Sequence, residues 1–193
     1  ILSVAGDVAR PGLYEYPFGV TLRQVLEDSG AADTQAIQIS GPSGVCVDAT
    51  EFGRRIAFED LPTAGAFTVF DASRDMFDVA RNYAQFFAHE SCGFCTPCRV
   101  GLVLLKKAVH KVVSGAGEPA DLDYMRRLAN VIVQTSRCGL GQAAPNPVLG
   151  ALQTFHAYAD LVGEQKSGLL STFDLSKAVV DAELRAGRMS QYV

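Results

Sequence analysis

Along residues 1–70 the apolar positions come in short runs separated by turn residues, and from Ser73 onward they recur every three to four positions. In the first stretch Val4, Val8 and Leu13 lie beside turn signals at Gly6-Asp7 and Pro11-Gly12. Thr21 is placed to cap a short helix over residues 21–28, with Leu22, Val25 and Leu26 on one face and Gly30 ending it. Strands are then expected at residues 37–39, 45–47 and 67–70, the first two joined by the turn Gly41-Pro42-Ser43-Gly44. Strands wrapped around one helix predict a small α+β fold.

The second stretch predicts four helices. The first runs over residues 74–90, burying Met76, Phe77, Ala80, Tyr83, Ala84 and Phe87. The second starts near Cys98, carries Leu102, Leu105, Val109 and Val112, and stops at Ser114-Gly115. Asp121 is read as the cap of the third, which aligns Met125, Leu128 and Ile132. Asn146 is read as the cap of the fourth, with Pro147 in its first position and Leu149, Leu152, Phe155 and Tyr158 following. Helices of this length with short links predict a four-helix bundle over residues 73–162, after an α+β domain over residues 1–72. Residues 163–193 form a C-terminal extension with an amphipathic segment at 175–184.

Composition changes this picture little. Hydrophobic residues make up 48% and charged residues 20%, an ordinary globular balance. The formal net charge of −4 argues against nucleic acid as a partner. No apolar run approaches the roughly 20 residues that cross a bilayer, so no direct membrane insertion is expected. The opening Ile1, with no initiator Met and no leader pattern, reads as the start of a fragment or processed product.

The cysteines carry the chemistry. Three of the five lie within seven positions, in Glu90-Ser91-Cys92-Gly93-Phe94-Cys95-Thr96-Pro97-Cys98-Arg99, which suits a metal site in a reducing compartment and a cytoplasmic protein. The spacing C-x2-C-x2-C wraps a loop around one iron–sulfur cube and aims each sulfur at a different iron. Gly93 permits a tight backbone, and Pro97 stiffens the approach to Cys98, where the amides at a helix start favour an anionic group. Cys138, in Ser136-Arg137-Cys138-Gly139-Leu140-Gly141, supplies the fourth ligand just past the third helix. Cys92, Cys95, Cys98 and Cys138 are therefore the expected ligands of one [4Fe–4S] cluster. Zinc also accepts four thiolates, but structural zinc sites pair two knuckles rather than a triplet and a singlet. Cys46 has no thiol neighbour in sequence and reads as a buried apolar residue.

His89 stands near Cys92, but four cysteines leave no vacancy for it; His110 and His156 fall within predicted helices. Arg99 and Arg137 adjoin ligands, where each either favours the reduced cluster or makes an ordinary helix-end ion pair. There is no G-x-G-x-x-G after a strand and no phosphate-cradling G-x-x-x-x-G-K-[ST]. A cluster with four thiolates has no vacant iron for substrate, so the chemistry reduces to one-electron relay, with no catalytic residue in this chain.

Residues 90–101, with Cys138-Gly139-Leu140-Gly141 downstream, resemble the family of NADH-oxidising flavoprotein subunits. That family includes a subunit of respiratory complex I and the diaphorase subunits of NAD-reducing hydrogenases and NAD-dependent formate dehydrogenases. The resemblance covers about residues 1–162 and makes Ser3-Val4-Ala5-Gly6-Asp7-Val8-Ala9-Arg10-Pro11-Gly12-Leu13-Tyr14-Glu15 the start of a β-grasp domain of the soluble-ligand-binding type. It implies that NADH reduces FMN in the parent subunit and that electrons pass singly through the cluster to a ferredoxin-like partner subunit. A thioredoxin-like [2Fe–2S] subunit is a further implied partner. The family's FMN and NAD(H) segments lie upstream of the β-grasp domain and nothing here matches them, so this portion is expected to bind neither and not to be catalytic alone. Thr135-Ser136-Arg137-Cys138 and Phe173-Asp174-Leu175 resemble the diaphorase of soluble hydrogenases, whereas Pro145-Asn146-Pro147-Val148 is shared with the formate dehydrogenase branch. A different class also stays open: a structural module in which metal only staples the bundle.

Overall fold

The computed structural model describes residues 1–154, 180 and 183–189. It is a mixed α/β structure with one five-stranded sheet and helices. The strands are β1 (Leu2–Gly6), β2 (Gly12–Tyr14), β3 (Thr34–Ile39), β4 (Val45–Asp48) and β5 (Ala66–Asp71). They lie in the order β2-β1-β5-β3-β4. β1 runs parallel to β5, and the other pairings are antiparallel.

Helix α1 (Leu22–Ser29) packs on one face of this sheet as its pattern predicts. The Thr21 hydroxyl accepts from the Gln24 N–H, and Gly30 closes the helix in a left-handed conformation. Leu22, Val25 and Leu26 meet Ile37, Ile39, Phe67 and Val69 in one core. These sheet residues are two apart on their strands, so Ala36 and Phe70, each one position beyond such a pair, face the opposite side. There they meet Met76, Val79 and Tyr83 of helix α2 (Met76–Glu90).

Helix α2 therefore has two jobs. Its other buried side, Phe77, Ala80, Ala84 and Phe87, joins a second core with α3 (Thr96–Val113), α4 (Pro119–Thr135) and α6 (Asn146–Thr154). Helix α6 packs on both α2 and β4, and the Asn146 side chain donates to the Ser43 carbonyl at 2.8 Å.

Three expectations are corrected in detail. Helix α4 is capped by Glu118, with Asp121 three residues inside returning a bond to the Glu118 N–H at 2.7 Å, so Asp121 completes a capping box rather than heading the helix. Asn146 lies within α6 and its amide is spent on Ser43, while the Pro145 carbonyl accepts from the Leu149 N–H. A short helix α5 (Gly139–Ala143) intervenes where none was expected. The rest of the expected fourth helix, including Phe155 and Tyr158, and most of the segment at 175–184 lie outside the described residues.

The link between sheet and helices is also ionic. Arg74 donates to both carboxylate oxygens of Asp7, at 2.6 and 2.9 Å, and the Asp71 N–H adds a third bond at 3.2 Å. The Arg74 bond holds the Asp7 carboxyl below its ordinary pKa against the opposing effect of burial. A carboxylate with a depressed folded pKa contributes stability above the ordinary Asp value, about 4, and loses it as pH falls through the folded value. Asp7→Asn is expected to cost roughly 1 kcal/mol at neutral pH and nearly nothing once the pH has fallen well below the folded pKa of Asp7. Denaturant unfolding at both pH values checks this, and an equal deficit at both would contradict it.

Candidate metal centre

The cysteine triplet occupies the connection from α2 to α3. Ser91 ends α2, its N–H bonded to the Phe87 carbonyl. Gly93 takes φ +76°, the left-handed conformation the tight loop requires. Cys95 caps α3, Pro97 sits in its first turn, and Cys98 follows at the third helical position. On the other side, Ser136 ends α4 and Cys138 begins α5.

The two loops meet. A Cβ added to Gly141 would lie 2.5 Å from Ser136 Cβ and 3.2 Å from Cys98 Cβ, so α5 rests on α3 only because that position lacks a side chain. The Arg137 backbone N–H is the chief influence lowering the Cys95 pKa, and burial opposes it. The N–H groups of Cys98 and Cys95 and the Ser136 hydroxyl act in the same direction as Arg137. Cys98 is 5% exposed, and burial raises its pKa. Ser91 Oγ, 3.2 Å from Cys98 Sγ, works against that rise, while Cys95, Cys138 and Cys92 add to it. The other three thiols are thus each within electrostatic reach of Cys98, with Cys92 and Cys138 exposed and Cys98 buried.

Arginines brace the loops. Arg99 donates to the Gly93 carbonyl at 3.2 Å, spanning the triplet. The Arg137 guanidinium lies 4.8 Å from the centre of the Phe94 ring, a cation–π contact between the two ligand loops, and Phe94 is 71% exposed. Ser136 and Phe94 were unmarked in the sequence. Nothing in the apolar pattern shows that a helix-end serine will be buried or that a loop aromatic will lie under an arginine. His89 is exposed on the last turn of α2 and His110 on α3. His156 lies outside the described residues. Cys46 stands apart on β4, half-buried, with burial pushing its thiol up to about 12.

Among the described residues no three His, Cys, Asp or Glu side chains converge on a position for a single ion. One zinc would need all four sulfurs about 2.3 Å from one point, whereas a cube of irons spreads its four ligand positions over a wider frame. The buried Ser136 Oγ, with no partner at full hydrogen-bond geometry and packed beside Cys98 through Gly141, fits a sulfur-rich group that can accept from it.

Residues 78–160 match the family model described as the NADH-ubiquinone oxidoreductase-F iron-sulfur binding region. This chain carries that iron–sulfur binding region. The alpha subunit of the NAD-reducing hydrogenase HoxS of Cupriavidus necator is 46% identical to this chain over 181 residues, covering 93% of the chain and 30% of that protein. The second F subunit of the NADH-quinone oxidoreductase of Rhizobium meliloti is 33% identical over 168 residues, covering 81% and 40% respectively. A crystal structure of an NAD+-reducing [NiFe]-hydrogenase in the H2-reduced state superposes with a TM-score of 0.79 at 38% identity, covering 98% of this chain and 34% of that one. The chain thus spans about a third of the length of the relatives it matches. Among the described residues no helix is long and apolar enough to cross a membrane.

Proposed function

We propose that this chain carries single electrons through one [4Fe–4S] cluster held by Cys92, Cys95, Cys98 and Cys138. The observation that supports it is the meeting of two cysteine loops, at the starts of α3 and α5, around a buried hydroxyl without a partner at full hydrogen-bond geometry. When bound, the cluster takes up and releases one electron at a time. Cys98 anchors it from the buried side, and Cys92 and Cys138 hold it at the surface, where a partner has access. Arg99 and Arg137 fix the loops that carry these thiolates and bring positive charge beside them.

Within the parent subunit, NADH reduces FMN by two-electron hydride transfer, and this portion delivers the electrons singly to a ferredoxin-like partner. A thioredoxin-like [2Fe–2S] subunit is a further neighbour. We place the parent in a soluble, cytoplasmic NAD-reducing hydrogenase, because identity is higher to the HoxS alpha subunit, 46%, than to the Rhizobium quinone oxidoreductase subunit, 33%. In this reading residues 1–72 are a β-grasp domain, 73–162 a helical bundle around the cluster, and 163–193 an extension.

Anaerobic purification tests the assignment. The expected product is brown, with about four irons and four labile sulfides per chain and a paramagnetic reduced state. A colourless protein holding one zinc would instead favour the metal-stapled structural module.

A further inference from the structure

We propose that the Ser136 hydroxyl donates a hydrogen bond to a sulfur of the bound cluster and thereby raises its reduction potential. This rests on the four-cysteine reading above. Ser136 is 5% exposed, and its Oγ is shielded from solvent with no partner at full hydrogen-bond geometry, while lying close enough to the Cys95 sulfur to lower that thiol's pKa. Its backbone is already committed, the N–H to the Ile132 carbonyl at 3.0 Å and its own carbonyl to the Gln142 side chain at 3.1 Å.

Other hydroxyls at helix ends in this chain satisfy themselves by turning back. Thr135 Oγ1 donates to the Val131 carbonyl at 2.6 Å, Ser114 Oγ to Lys111 at 2.9 Å and Ser29 Oγ to Leu26 at 3.0 Å. Ser136 does not. Its side chain sits against Gly141, at the same point where Gly141 meets Cys98 Cβ, and it is felt at the Cys95 sulfur. A buried donor left unmade is costly, so a hydroxyl held in this place needs an acceptor there. Sulfur at the cluster is the acceptor this position offers. The reduced cluster carries one more negative charge than the oxidised one, so a fixed donor stabilises the reduced form more.

The test uses the anaerobically prepared, cluster-loaded chain. In an EPR-monitored redox titration, Ser136→Ala is expected to lower the reduced-to-oxidised ratio at a fixed ambient potential about tenfold, a downward shift of about 59 mV for one electron. Ser136→Thr keeps the hydroxyl and is expected to stay within about twofold of the wild-type ratio. Pulsed EPR of the reduced wild-type cluster after exchange into deuterium oxide is expected to show an exchangeable coupling that Ser136→Ala lacks. An unchanged potential in Ser136→Ala, or no such coupling in the wild type, overturns the proposal. Absence of iron and sulfide from the wild type would instead overturn the four-cysteine assignment.

Discussion

Cys138→Ala is expected to leave the fold standing and to break up the metal centre. Cys138 is exposed at the start of α5 and makes no capping bond there, so its removal opens no cavity in either core. In the proposed ligand set its sulfur is nevertheless the one that ties the α4–α5 turn to the cysteine triplet. Without it, iron content should fall from about four per chain to three or fewer, and the reduced-state signal of the intact cluster should vanish. Circular dichroism and the unfolding midpoint of the metal-free protein should match the wild type. Cys46→Ala is the control: that thiol lies on β4, away from the triplet, and iron content should not change. A Cys138→Ala protein with its full iron and an unaltered signal would remove Cys138 from the ligand set.

Gly141→Ala attacks the same site from packing rather than chemistry. The new methyl would lie 2.5 Å from Ser136 Cβ and 3.2 Å from Cys98 Cβ, both on buried residues at the ends of other helices. Neither neighbour is the free end of a long side chain, so relief requires a shift of α5 and with it Cys138. Overpacking of this kind costs about 1–3 kcal/mol. Metal-free unfolding should show that loss, and the loaded protein should release iron to a chelator at least several-fold faster than the wild type. A variant as stable and as slow to lose iron as the parent would mean that α5 does not rest on Cys98 as described.

Local signals make much of this architecture legible. Thr21 and Gly30 bracket α1 because both act through their own backbone neighbours, and the two-residue alternation of Ile37 and Ile39 against Ala36 assigns the faces of β3. The triplet spacing alone places three thiols on one loop. What stays hidden depends on residues distant in sequence or on competition between neighbours. The Asp121 carboxylate has the chemistry of a cap, but Glu118, unremarkable in the pattern, heads α4 once Pro119 fixes the first turn. Asn146 has that chemistry as well, but its amide finds a carbonyl 103 positions away. The loneliness of the Ser136 hydroxyl likewise follows from three helix ends converging.

Helix α6 touches both the core beneath the cysteines and strand β4, while Tyr83 and Met76 pin α2 to the other side of the sheet. The cysteine loops are therefore not at the tip of a swinging arm. In the proposed relay, a partner that grips the sheet would fix, through this shared joint, how far an electron must jump, much as a jig holds two parts at one gap.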